Sequence, residues 1–213
     1  MRDSVDPDRL PAYPLWATLP FTAMTLLIIP VYWVEYGPGN FLWFSDIALF
    51  AVAIAMWTGQ RMLFSMIALG VLPLELVWTI DILTLGNLIG LAAYMFDDSY
   101  PLWLRALSLF HIPLLGVLIW SLLAQGYEPR AFWPQVFLGF TVLPLTRLLT
   151  GEEENVNWVY GLGPEAAQII PDPWYLPAFM IALLVGVYVP THLLLKRLAA
   201  RPAASPRASA RAT

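Results

Sequence analysis

The chain has 213 residues, of which 59% are apolar and only 12% charged, a balance too apolar for a water-soluble globule of this size. Fifteen acids against eleven bases give a formal charge of -4 and no basic patch for nucleic acid. The absence of cysteine excludes disulfides, thiolate metal sites and cysteine nucleophiles.

Read from the N-terminus, the first apolar run, Pro14 to Val34, is too long for a signal-peptide core and is followed by no A-x-A-like cleavage site. It is expected to remain as a helix of the mature protein, ending at Glu35-Tyr36-Gly37-Pro38-Gly39. A second span is predicted from Asn40 to Trp57. After the turn Thr58-Gly59-Gln60-Arg61 a third follows from Met62 to Ile80, kinked at Pro73. The run Leu83 to Phe96 is apolar but holds fourteen residues and two glycines, short of the roughly 20 that a crossing takes. It reads as a re-entrant or interfacial segment. Further spans are predicted over Leu102 to Leu123, Phe132 to Leu149 and Trp174 to Leu195.

The expectation is therefore an all-α, polytopic membrane helix bundle with six transmembrane helices and one short re-entrant or interfacial segment. Residues 1–197 form a single transmembrane domain, and the Ala/Pro/Arg/Ser-rich residues 198–213 a disordered cytoplasmic tail. Six crossings with both termini inside place Arg2, Arg9, Arg61, Arg130, Lys196, Arg197, Arg201, Arg207 and Arg211 on the cytoplasmic side. Most acids then face outward, Glu35, Asp97, Asp98, Glu152, Glu153, Glu154, Glu165 and Asp172 among them. Trp16, Trp33, Trp43, Trp103, Trp133, Trp158 and Trp174 fall near the predicted interfaces, as an aromatic belt does. No internal repeat supports an inverted-repeat transporter.

Ionisable side chains within hydrocarbon cost roughly 2.5 to 3.5 kcal/mol each on insertion scales, so their positions are informative. Asp46 in the second span, Glu75 and Asp81 in the third, Arg105 and His111 in the fourth and Arg147 in the fifth all lie within roughly 15 Å of the outer surface. The depths imply a polar pocket that opens outward. Helix packing through acid–Arg pairs accounts for such a set as well, and an Arg105 pair with Asp46, Glu75 or Asp81 is expected. The cytoplasmic half offers almost no buried polar side chain by the same reading.

Within the fourth span Arg105, Ser108 and His111 recur every third residue and share a broad face. Ser45 as nucleophile, His111 as base, and Asp46 or Asp81 orienting the imidazole are a candidate catalytic set, although a lone histidine also serves as a hydrogen-bonded packing residue. Arg105, Arg147 and Glu75 are candidate substrate-binding residues. So are Asn157 and Trp158, in a loop that either folds over the pocket as a lid or is simply a solvated acidic loop. Two histidines far apart in depth make a His-rich metal site improbable, and His192 is placed at the cytoplasmic interface without a role. No metal and no cofactor are expected, and a carboxylate site on Asp46, Glu75 and Asp81 is the one remaining metal alternative.

The segments Tyr36 to Leu49, Leu76 to Asp81, Ala93 to Asp97, Leu107 to His111 and Asn155 to Trp158 resemble uncharacterised bacterial multi-pass membrane proteins. That resemblance implies the bacterial inner membrane as location and no particular activity. The order of Ser45-Asp46, Thr79-Ile80-Asp81, Phe110-His111, Asn157-Trp158 and Trp174-Tyr175 is also similar to that of YwaF-type and androgen-induced-gene/ADTRP-type six-span proteins. In those, a Thr or Cys nucleophile on one helix works with a His on a later helix in lipid ester hydrolysis or acyl transfer. Serine stands at the nucleophile's position here.

Three functions follow as alternatives. One is a non-enzymatic membrane subunit that docks a membrane-protein partner or complex. Another is a lipid ester hydrolase or acyltransferase using Ser45 and His111 on a membrane lipid. The last is a proton-coupled carrier that relays through Asp46, Glu75 and His111.

Overall fold

The computed structural model describes residues 13–163, 166 and 170–199. Glu165, the expected tail beyond Ala199, and Arg2, Arg9, Arg201, Arg207 and Arg211 lie outside these residues. Among the described residues the fold is all helical, with no strand. Helix α1 (Leu15–Glu35) is followed by a 3-10 turn, Pro38–Leu42, and by α2 (Phe44–Thr58). Then come α3 (Arg61–Leu83), and α4 (Leu102–Leu107) joined through the 3-10 turn Ser108–Phe110 to α5 (His111–Gln125). After α6 (Phe132–Leu149), helix α7 (Tyr175–Leu183) runs through a π-helical turn, Leu184–Tyr188, into α8 (Val189–Ala199).

Among the described residues, five helical rods are long and apolar enough to cross a membrane: α1, α3, α4 with α5, α6 with its preceding turn, and α7 with α8. The bundle is apolar on the outside too, since Trp16, Val34, Phe137, Leu148 and Leu123 are 74 to 83% exposed. Such a surface suits lipid and not water. Hydroxyls satisfy themselves on their own helices, Thr25 donating to Phe21 O at 2.8 Å and Thr146 to Val142 O at 2.8 Å.

Helix α3 is the axle. Half of its membrane-length window is buried, against 22 to 33% for the other four rods. It packs against α2, α5, α6 and α8, and contributes Phe64, Ile67, Ala68 and Val71 to the main core. Helix α2 ends where Gly59 adopts the left-handed conformation (φ 66°) and returns its amide to Ala55 O, which lets α3 start two residues later. Helices α1 and α2 run antiparallel: Tyr13 N donates to Met56 O at one end, and the turn before α2 packs on α1 at the other.

The sequence boundaries need three adjustments. The third span continues past Ile80 to Leu83. The fourth is broken by a 3-10 turn in front of His111. The sixth runs to Ala199, two residues past the expected tail boundary. Residues 84–96 form no crossing helix, only turns and a 3-10 turn at Ala93–Phe96.

Candidate functional site

Polar side chains gather where α1 and α3 end and α2 and α5 begin. Glu75 follows Pro73 of α3 by two residues, and His111 is the first residue of α5, presented by the 3-10 turn in front of it. They meet directly: His111 Nδ1 and Glu75 Oε2 are 2.7 Å apart, with the side chains 12% and 3% exposed. The imidazole is clamped between Trp78 and Phe110, whose ring centroids lie 4.3 and 4.2 Å away at shallow angles. Its rotation is thereby fixed, and with Nδ1 taken by Glu75 only Nε2 is left for a second partner.

Asp46, in the first turn of α2, is 2% exposed. Its Oδ2 accepts a 3.3 Å bond from Asn40 Nδ2, while its buried Oδ1 has no hydrogen-bond partner. It lies within electrostatic range of Glu75 and of Tyr32. The Tyr32 hydroxyl and Ser108 Oγ are 3.2 Å apart behind the histidine. Tyr94, from the segment after α3, comes beside Glu75, Ser108 and Trp78, and burial pushes its phenol up to about 12. Among the described residues no lysine or arginine is paired with Asp46 or Glu75.

Several candidates have other partners than expected. Arg105 is not paired with Asp46, Glu75 or Asp81: Nη1 donates to Met95 O at 3.0 Å, and Nη2 lies 3.3 Å from the exposed Asp98. Glu75 is taken by His111 and Asp81 by backbone amides of the segment after α3, while the guanidinium reaches a carbonyl farther along that segment. Asp81 does not orient His111 either. Its carboxylate accepts from the amides of Leu88 (3.0 Å), Ile89 (2.9 Å) and Ala92 (2.7 Å), and so ties down the segment after α3. With Asp81 so engaged, the expected carboxylate metal alternative loses a member, and no three His, Cys, Asp or Glu side chains among the described residues are grouped to hold a metal ion. Ser45 is half-buried on the turn that carries Asp46, and no hydrogen bond joins it to His111.

The loop after α6 is ordered by its asparagines. Asn157 Oδ1 accepts from Phe44 N at 3.0 Å and Nδ2 donates to Leu42 O at 2.7 Å, so a side chain distant in sequence caps α2. Trp158 is half-buried, and its carbonyl accepts from the Tyr175 hydroxyl at 2.8 Å. Arg147 reaches Asp172 at 2.6 Å and lies 3.9 Å over the Tyr160 ring. Asn157 is thus a backbone clamp, and Arg147 part of the same loop's anchorage.

The opposite end also buries polar groups, contrary to the sequence reading. Tyr13 donates to Ser121 Oγ at 2.7 Å and accepts from Gln125 at 2.9 Å. Ser65 Oγ accepts from Glu128 N at 2.9 Å, and His192 Nδ1 lies 2.8 Å from the Tyr127 hydroxyl. Gln135 and Tyr188 are 0% and 1% exposed. These were missed because isolated Ser, Gln and Tyr in apolar helices raise no charge signal; the glycines facing them, Gly70 and Gly139, were the available clue.

The fold and this cluster define an all-α protein with membrane-length helices and ionisable side chains buried between them. No known protein family, curated protein or solved structure matches the chain.

Proposed function

We propose that the chain is a six-span, non-enzymatic membrane protein whose Asp46–Glu75–His111 cluster binds and releases a proton. The observation that carries this is a charge count: among the described residues, two buried carboxylates are met by one imidazole and by no lysine or arginine. A bare buried carboxylate is costly enough that such a group takes up a proton instead. The His111 imidazole bonds the Glu75 carboxylate, and the partnerless Oδ1 makes Asp46 the natural holder of a proton. Infrared difference spectra of the purified protein across about pH 5 to 8 test this. A protonated-carboxyl band that titrates in the wild type and is lost in Asp46→Asn is expected; a spectrum without it overturns the reading.

The sixth crossing is α2. Its 15 residues are short, but the preceding 3-10 turn extends it, and its antiparallel course beside α1 supports a full traverse. With the termini inside, Ser99→Cys labels from outside intact cells with an impermeant maleimide and Ser205→Cys does not; labelling of both sinks the topology. Membrane lipid is the solvent of the apolar exterior, and the bacterial inner membrane the location the resemblance suggests.

A lipid ester hydrolase is the second reading. It is favoured by the Glu75–His111 pair, which leaves Nε2 free as in a serine triad. Fluorophosphonate labelling of the wild type that disappears in Ser45→Ala would replace the first reading with this one.

A further inference from the structure

Three of the membrane-length rods have an end in one corner of the bundle: α3 starts at Arg61, the rod of α6 starts at Pro129, and that of α8 stops at Ala199. The connection between α5 and α6 ties their side chains together. Arg61 Nη2 donates to Tyr127 O at 2.9 Å, and the Tyr127 hydroxyl lies 2.8 Å from His192 Nδ1. The imidazole packs on Phe132 with ring centroids 4.8 Å apart. Lys196 follows His192 by one turn on the same face of α8; it is exposed and within electrostatic range of that imidazole. Leu69, Tyr127, Ala131 and Leu195 form a buried apolar floor. Printed on three helices by sequence, these groups are one connected unit in space.

Cations are in excess there. Among the described residues Glu128 is the one acid of the corner, and Arg130 already holds it at 2.9 Å. No described acid is paired with Arg61 or Lys196. Arg61 is half-buried and within electrostatic range of Glu128, yet its Nη2 goes to a carbonyl and its buried Nε has no hydrogen-bond partner. At the opposite end Arg105 and Arg147 each stand beside an acid, Asp98 and Asp172. Unanswered cations at the end of a membrane rod call for an anion, and the surface around them selects its kind. Leu193, three residues before Lys196, is 48% exposed, and Trp133, next to Phe132, is 73% exposed. A lysine near a rod end reaches the headgroup level with its stem along apolar surface. Phosphate oxygens accept from guanidinium and ammonium alike, and acyl chains suit the apolar flanks. We infer that this corner is a headgroup site for an anionic phospholipid, with Arg61 and Lys196 as its cations and Leu193 and Trp133 under the acyl chains. The site needs the chain to lie in a membrane but does not depend on proton binding at the other end.

The test is native mass spectrometry of the full chain released from micelles that hold equal amounts of phosphatidylglycerol and phosphatidylcholine with matched acyl chains. The wild type should retain phosphatidylglycerol in preference to phosphatidylcholine. Arg61→Gln and Lys196→Gln should each reduce that preference about fivefold, whereas Arg105→Gln at the opposite end should leave it unchanged. Lys196 is exposed, so its variant decides the matter if Arg61→Gln fails to fold. Excess inorganic phosphate should not displace the lipid; displacement would make the corner a free-phosphate site and overturn the lipid assignment. Equal retention of the two lipids by the wild type, or a Lys196→Gln preference equal to that of the wild type, also overturns it. So does an equal loss in Arg105→Gln, which would mean attraction to the whole surface. The infrared titration of the Asp46–Glu75–His111 cluster is a separate readout, so the lipid site and proton binding fail independently.

Discussion

At one end of the bundle Asp46, Glu75 and His111 bring two carboxylates against one imidazole, whereas at the other Tyr13, Ser121 and Gln125 form a neutral chain of hydroxyls and an amide. The charge near that neutral chain is balanced locally, with Glu128 held by Arg130 at 2.9 Å and Arg61 donating to Tyr127 O. Both ends are sealed by hydrogen bonds, yet among the described residues no lysine or arginine pairs with the two carboxylates of the first, whereas Glu128 at the second has Arg130. Polar groups buried among apolar helices can therefore fasten a bundle or respond to pH, and what separates the two is whether their charges balance.

The comparison is tested most severely at the Glu75–His111 pair. Removing one member strands the other, which typically costs about 3 to 5 kcal/mol, while replacing both by apolar residues of similar size costs much less. His111→Leu should therefore be the most destabilising single change, and Glu75→Leu/His111→Leu should recover much of the loss, read as thermal stability in detergent. At the neutral end Ser121→Ala should lose about 1 kcal/mol. Equal losses for His111→Leu and Ser121→Ala would erase the distinction between the two ends.

Next in size is Asp81→Ala. Three backbone amides lose a charged acceptor, at about 2 to 3 kcal/mol given the thin cover that the 84–96 segment provides. Protease sensitivity should rise within that segment. Asp98→Ala, which frees only an exposed partner of Arg105, should stay under about 1 kcal/mol. A comparable effect from both would mean that Arg105, and not Asp81, holds the segment.

The all-helical fold was legible because lipid imposes long apolar runs, and the turn between α2 and α3 because Gly59 punctuates it; the end of α3 and the break in front of His111 were not. Depth alone drew six groups to one pocket; Asp46, Glu75 and His111 lie together, while Asp81, Arg105 and Arg147 have other partners. Pairing was not: whether Arg105 meets Glu75 or Met95 O depends on the 3-10 turn that rotates α4 against α5, and no residue pattern announces that turn. Asp81 likewise looks like an intramembrane acid until the chain behind it folds back onto its carboxylate. The role of Asn157 needs two segments more than a hundred positions apart, which a local reading does not join.

That clamp gives a smaller effect. Asn157→Ala should lose about 1 to 2 kcal/mol as a helix cap is removed. Asn157 also has a positive φ of 53°. Asn157→Gly relieves that conformation while deleting the side chain, so it should be less destabilising than alanine and still less stable than wild type. Wild-type stability in Asn157→Gly would mean that the clamp contributes nothing.

The smallest expected effect concerns the balanced end, where Arg130 holds the Glu128 carboxyl below the usual carboxylate range. A carboxyl whose folded value is depressed stabilises the fold above its unfolded value, about 4.3, and loses that contribution as pH falls toward the folded value. The wild type should therefore lose stability between about pH 5 and pH 3 more steeply than Glu128→Gln, whose side chain does not titrate. The Arg130 side chain is 63% exposed, so solvent screens the pair and the difference should stay below about 1 kcal/mol. Glu128→Gln should leave the infrared titration of the Asp46–Glu75–His111 cluster, at the other end of the bundle, unchanged. A shift of that titration in Glu128→Gln would show the two ends to be coupled electrostatically, and the contrast between a fastening end and a responding end would not hold.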